Sequence, residues 1–509
     1  MRQPDRMRYV FFGLAALGVL MGSIDSTIVA VALPQLTTDL HAPLAWVGWT
    51  LTAYQLVQVI MLPVAGKLSD SLGRKRVFLV CVAMFTVGSL LCALAPSIGF
   101  LIVFRAIQAL GGGGLMPSAV GIISDQFKEQ RAQAIGLFTS IFPIGGIIGP
   151  NLGGYLLTHW GWRSLFTINV PLGIVVLIGV FFLLKDLVNT SRQQVHIDVR
   201  GLAIFACAMV SLLYGLTTLG DQPGNWRHPL PWALVAASVV LLCVFLRHIR
   251  VTPHAVMDFN LAVRNPFLAA NLYNFFFGAA SFGFFSFIPY YAVTKFGLST
   301  QESGTVITPR AILMILASTL ASIFIIRLGY RVPMLIGMAL VMTTLLLLGQ
   351  GWTSVTVGGV TVQGFWLLAI VVSFSGLGMG IASPASNNAA LDLAPKKAAE
   401  ITGLRGMFRM TGGIVGIAMV VTVLSFFPNQ GEGLTKIFLV LAGILLVTVP
   451  LTLLIPDTAR ERYLSQKLAA ANAAAGAAPG PPSTAANSTE RAAGARAAAA
   501  IEAHGHDDK

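Results

Sequence analysis

The chain has 509 residues, of which 55% are hydrophobic and only 10% charged, with a mean hydropathy of +0.78. Soluble domains carry roughly 25% charged residues, so a soluble enzyme, a nucleic-acid binder and a disordered chain are excluded as the main reading. The net charge of +13 does not restore nucleic-acid binding, because the positive residues lie in short loops between apolar runs.

A membrane-crossing helix needs about 20 mostly apolar residues. Such runs are predicted at 9–31, 46–65, 77–95, 98–118, 134–157, 165–184, 201–219, 231–249, 266–292, 304–326, 333–349, 364–384, 404–427 and 434–455, fourteen in all. An even number places both termini on one side. With the N-terminus in the cytoplasm, nineteen Lys and Arg fall in inside segments and four in outside loops, the bias that sets topology. The 9–31 run is too long for a signal-peptide core and carries Asp25, so no cleavable signal is expected. The expected fold is an all-α polytopic membrane protein. Its parts are a six-helix bundle in 1–190, an inserted helix pair with linkers in 191–255, a second six-helix bundle in 256–456, and an Ala-rich, largely disordered cytoplasmic tail in 457–509.

Asp25 is the central polar residue, the one acid among twenty that falls deep inside a span. A charge there costs at least ~2.5–3.5 kcal/mol and is retained mainly for a pathway or a partner. A carboxylate so placed exchanges protons as its partners change, so Asp25 is expected to couple transport to protons. Arg105, in the fourth span, is its expected partner, and Gln108 shares the same helix face three residues on. The loop from Gly66 to Arg76 carries Gly66, Asp70, Gly73, Arg74 and Lys75. It reads as a cytoplasmic gate in which Arg74 can pair with Asp125. Gly145, Gly149, Pro150, Gly153 and Gly154 make a small-residue face for close packing or a hinge between the halves. Gln55, Gln58, Gln108, Asn271, Asn274, Asn387 and Arg409 are the expected polar lining of a substrate cavity. Span nine supplies aromatic residues, Tyr273 and Phe275 to Phe287, most of which read as lipid-facing. Arg405 is expected at the interface, and for Arg310 snorkelling outward and a functional role are both open.

The loop motif has a degraded second copy, Arg327-Leu-Gly329-Tyr-Arg331. It follows the second span of the later group of six, which implies two related halves with a site between them. Cys81, Cys92, Cys207 and Cys243 form no pair and read as small core residues. No metal site, disulfide or cofactor is expected. No phosphate-binding G-x4-GK[ST], HExxH or G-x-S-x-G occurs, so nucleotide hydrolysis and hydrolase chemistry have no seat.

These motifs resemble the major facilitator superfamily, and within it the fourteen-helix drug:proton antiporters (EmrB/QacA type), over about residues 10–455. The resemblance is carried by Gly66 to Arg76 and by Leu101 to Gly113 with Arg105 and Gln108. It is carried also by Gly145 to Gly154, by Ile24-Asp25-Ser26-Thr27 through Leu33-Pro34, and by Trp162-Arg163 with Ile168-Asn169-Val170-Pro171. One departure is Ala109, where the helix-four motif usually has Gly. The resemblance implies a proton-driven exporter of hydrophobic or cationic drug-like compounds, with small-molecule substrate, protons and lipid as its partners. The low Lys content of the spans and the single-chain plan suit a bacterial inner membrane, and a monomer is expected because nothing in the sequence requires an oligomer. A dedicated exporter of one metabolite or lipid is the nearest alternative. A proton-linked importer and a channel are the alternatives of other classes.

Overall fold

The computed structural model describes residues 5–127, 130, 134–135, 137–138, 141–183, 197–221, 227–253, 255–393, 398–457 and 465, without the side chains of 5–7, 70, 323–327, 357 and 398–400. The long helices run in chain order. They are α1 Asp5–Ile28, α2 Trp49–Leu72, α3 Arg74–Ala93, α4 Ile98–Gln126, α5 Ile141–Trp160, α6 Asn169–Leu183, α7 Val199–Asp221 and α8 Pro229–Val251. There follow α9 Phe267–Phe285, α10 Thr308–Leu328, α11 Arg331–Leu348, α12 Gly364–Leu393, α13 Ala398–Leu424 and α14 Gln430–Leu446. Among the described residues, thirteen helical stretches are long and apolar enough to cross a membrane. Helix α5 is not one of them, although it has 20 residues, because five glycines, two prolines and an asparagine dilute its apolar content.

Helices this apolar have no face to give to water. Val80, Val87, Phe182 and Val240 stay exposed, as expected where the surroundings are hydrocarbon rather than solvent. The polar residues turn inward instead.

The same packing pattern occurs twice. In the first six helices α1 packs on α5 and α6, α4 packs on α2 and α3, and α3 packs on α6. In the last six α9 packs on α13 and α14, α12 packs on α10 and α11, and α11 packs on α14. Each pair of the first set recurs eight helices later. Helices α7 and α8 pack on each other, and α7 touches α2 and α13. Trp49 donates to Thr217 at 2.7 Å and Thr422 to the Leu216 carbonyl at 2.9 Å, so α7 is tied to both sides of the seam. Asp198, just before α7, accepts from the Gly201 and Val256 amides and faces His248 of α8 at 2.8 Å.

The turn from α2 to α3 is a single residue. Gly73 ends α2 with φ +98°, a backbone that side chains rarely adopt. The expected all-helical chain has one exception. Strands β1 Ser354–Val357 and β2 Val360–Gln363 pair antiparallel across a Gly358–Gly359 turn with positive φ at both residues. That two-glycine loop between β-branched residues is a hairpin signal.

Three further expectations are corrected. Cys81 and Cys92 are buried, but Cys207 and Cys243 are exposed. None of the span-nine aromatics is exposed; Tyr273, Phe277, Phe284 and Phe287 are core residues, so the wall faces protein rather than lipid. Asp457, the expected first residue of the tail, is buried and accepts from the Tyr330 amide at 2.7 Å. It thereby closes the end of the second bundle onto the turn between α10 and α11.

Candidate functional site

Four consecutive glycines set the position of α4. A Cβ at Gly111 would strike the Cys81 carbonyl and one at Gly113 would strike Gln58 and Met61. Gly112 and Gly114 face Tyr54 and Cys81. Helix α4 is therefore pressed backbone-close against α2 and α3. Ala109, where the family motif has glycine, is wholly buried and accommodated.

This packing brings Arg105 and Gln108 to Asp25. All three side chains are completely buried. Arg105 Nη1 lies 2.6 Å from Asp25 Oδ2 and 2.6 Å from Gln108 Oε1, and its Nε donates to the Thr50 carbonyl at 3.1 Å. Gln108 Nε2 donates to Asp25 Oδ1 at 2.8 Å and to Ser89 Oγ at 2.7 Å. Asn169 Nδ2 donates to the same Asp25 oxygen at 3.1 Å. The guanidinium also lies 3.9 Å from the centroid of the Tyr54 ring, a cation–π contact strengthened by exclusion of water. Three N–H donors thus face the two carboxylate oxygens, an arrangement suited to the ionised acid.

Gln108, expected in the cavity wall, belongs to this network instead. Asn169, Tyr54, Thr50 and Ser89 were not anticipated as members. Only Asn169 had a signal, its place in the Ile168-Asn169-Val170-Pro171 motif.

The cavity residues disperse. Asn271 donates to the Leu261 and Ala262 carbonyls and fastens the preceding short helix. Asn274 donates to Ala270, one turn back in its own helix. Both are buried structural residues rather than an open lining. Gln55, Gln58 and Asn387 are partly exposed, as are Arg405 and Arg409. Arg310 is buried and does not snorkel; it donates to Ser375 at 3.0 Å and lies 4.3 Å from the Phe285 ring.

At the loop, Arg74 meets Asp125 at 2.9 Å and also donates to the Gly121 carbonyl. Lys75 donates to the Phe181 carbonyl at 3.2 Å. The Asp70 side chain lies outside the described residues. Gly66 has open space where a Cβ would be, so packing does not require glycine there. The degraded second copy has its own link, Tyr330 to Asp392 of α12 at 2.5 Å.

The α5 glycines divide between two partners. Gly145, Gly149 and Gly153 lie against Ser23, Thr27 and Ile28 of α1, within one half. Gly154 meets the Thr300–Gln301 backbone, and the Pro150 carbonyl abuts Gly304. Together with the Asn151–Thr308 hydrogen bond of 2.9 Å, this part of α5 makes the seam with the later helices. The expected seam between halves therefore rests on Pro150 and Gly154, while the other three glycines join α5 to α1.

A bundle of apolar helices packed twice in the same pattern, around one fully buried acid–base network, defines a polytopic membrane transporter. Residues 15–416 and 271–483 match the Major Facilitator Superfamily, and the chain belongs to it; it is a transporter and not an enzyme. It is 30% identical over 414 residues to the multidrug transporter protein MdtP of Bacillus subtilis (strain 168), covering 80% of this chain and 74% of that one. To the tetracenomycin C resistance and export protein of Streptomyces glaucescens it is 30% identical over 426 residues, covering 82% and 76%. A bacterial homolog of the human lysosomal transporter Spinster, solved inward-facing and unoccupied, shares the fold with a TM-score of 0.62 at 15% identity, over 91% of this chain and 99% of that one.

Proposed function

We propose that the protein is a proton-coupled exporter of drug-like compounds that works by alternating access. The observation that carries this is Asp25, completely buried and met by Arg105, Gln108 and Asn169. A movement that withdrew Arg105 would leave a buried carboxylate without a counter-charge, which is strongly unfavourable. Proton uptake by Asp25 removes that charge. Protonation and helix movement are therefore linked through one residue, and an inward proton current can drive substrate outward.

In this reading α5 is the fourteenth crossing. Residues 1–190 and 256–456 are the two moving bundles, 191–255 is the insert, and both termini are cytoplasmic in a bacterial inner membrane. The unit is a monomer. The seam at Pro150, Gly154 and Thr308 closes the outer half of the path, and the Arg74–Asp125 pair belongs to the cytoplasmic gate. The relatives named for drug transport support export. The relative named for one compound favours, as a second reading, an exporter dedicated to a single molecule.

The test uses purified protein in liposomes under an imposed pH gradient, with lipophilic fluorescent dyes of either charge. Wild type should move at least one dye only when the gradient is present, and folded Asp25→Asn should move none. Gradient-driven transport by Asp25→Asn at the wild-type rate would falsify the coupling role.

A further inference from the structure

The second half holds three arginines in its interior. Arg310 is ten residues beyond Thr300, where its apolar stretch begins, and Arg409 is eleven residues beyond Ala398, the first residue of α13. Both lie near the middle of their spans and against α9, Arg310 at 4.3 Å from the Phe285 ring centroid and Arg409 at 5.5 Å from that of Phe277. Arg405 is one turn from Arg409 on the same helix face.

Among the described residues, none of the three forms an ion pair. All of their recorded partners are neutral. Arg310 has Ser375, Met379 and the Phe285 ring. Arg405 has Ser386 at 3.3 Å, and Arg409 lies 5.5 Å from the Phe277 ring centroid. The Nε atoms of Arg405 and Arg409 and the Tyr273 hydroxyl are buried without a hydrogen-bond partner. The Tyr273 ring stacks on Phe277 at 5.6 Å. Arg405 and Arg409 nevertheless remain partly exposed, so the cluster borders accessible space.

Unbalanced guanidinium groups at this depth call for a counter-charge. Among the described residues of the first half, the one acid deep inside a span, Asp25, is already engaged by Arg105. Guanidinium groups pair best with planar or branched oxyanions, and rings beside them accept an apolar body. We propose that Arg310, Arg405 and Arg409 form the head-group site for an amphipathic organic anion, whose apolar part lies against Tyr273, Phe277 and Phe285. This rests on the exporter reading and specifies its cargo. The anion bears a carboxylate, sulfonate or phosphate, and so differs from the hydrophobic or cationic compounds that the family resemblance implied.

The test is equilibrium binding to the purified full chain in detergent, with two dyes on one xanthene ring system, anionic fluorescein and cationic rhodamine 6G. Fluorescein should bind at least tenfold tighter than rhodamine 6G. Its affinity should fall at least tenfold in Arg409→Gln and in Arg405→Gln and be largely retained in Arg409→Lys, with each variant checked for folding by thermal unfolding. Rhodamine 6G should gain or keep affinity in Arg409→Gln. Tighter binding of the cation, fluorescein binding indifferent to both Gln variants, or binding of neither dye overturns the proposal. Displacement of fluorescein by short-chain phosphatidylglycerol identifies a lipid head group as the anion. Displacement by soluble carboxylates alone identifies a soluble compound, and either upholds the site. Binding needs no gradient, so an Arg409-dependent anion with failed liposome transport sinks the exporter reading only. Successful transport without anion binding sinks this proposal only.

Discussion

The centres of the two halves hold arginine in opposite ways. In the first half Arg105 has a carboxylate, an amide and a backbone carbonyl as partners, and every polar atom of Asp25 is engaged. In the second half Arg310, Arg405 and Arg409 have hydroxyls, a thioether and rings. The helix packing is the same in both halves, so the difference lies in side chains alone. One centre is neutral and closed by its own residues. The other keeps its charge for something that arrives.

The sharpest break in this contrast is Arg105→Leu. Leaving Asp25 buried without its counter-charge should cost about 3–5 kcal/mol, read as a fall in thermal unfolding temperature in detergent; the Asp25→Asn/Arg105→Leu double variant should recover part of that loss without recovering transport. Next comes Asp25→Asn alone. An amide keeps one acceptor oxygen for Arg105 but leaves the buried guanidinium without a counter-charge, so the unfolding temperature should fall, by less than in Arg105→Leu, while gradient-driven transport drops to background in liposomes. Arg409→Gln tests the other centre, where deleting a charge without an ion-pair partner should leave stability unchanged or raised. A loss of several kcal/mol there, measured by the same unfolding assay, would mean that the two centres are alike after all.

Smaller effects are expected at the edges. The Arg74–Asp125 pair is partly exposed, with the side chains 29% and 42% accessible, so Asp125→Asn should cost roughly 0.2–1 kcal/mol. Its larger effect should be on the gate, read as faster cross-linking between cysteines placed on the far side of the seam. Asp198 is the smallest case. Burial works against its charge, but the Gly201 amide, the His248 ring and the Val256 amide together hold its carboxyl below the usual carboxylate range. Its charged form therefore contributes stability that is fully present above the ordinary pKa of about 3.9 and is lost as pH falls through the lower folded value. Wild type should lose its advantage over Asp198→Asn across that acidic interval in pH-dependent unfolding.

Much of the fold was legible because lipid leaves few choices. Long apolar runs must be helices, and the basic loops mark their ends. Helix α5, expected within 134–157, runs from Ile141 to Trp160, where the glycines that let it touch α1 also make it less apolar. The hairpin at Ser354–Gln363 does not stand out by hydropathy, because valines alternate there with serine, threonine and glutamine, and its sequence signal is the pair of glycines between the two runs. Asp25, Arg105 and the Arg74–Asp125 pair were found because charge inside or beside a span is conspicuous. Asn271 and Asn274 were misplaced because an amide in a helix satisfies backbone carbonyls as readily as it lines a cavity. The arginine cluster needed the structure, because Arg310 and Arg409 are 99 positions apart in the chain and only the packing of the second half brings them together.

Asp457 reaches back from the end of the last crossing to the Tyr330 amide, where Gly329 leaves room for its carboxylate, while Arg331 donates to the Ile455 carbonyl at 2.8 Å. The turn between α10 and α11 is thereby clasped to the chain that follows α14, so that in the alternating-access reading these helices should travel as a single piece. The clasp also marks a cutting point. A truncation placed after Asp457 keeps both links, whereas one placed a single residue earlier removes the Asp457–Tyr330 link and leaves Arg331 on the Ile455 carbonyl alone.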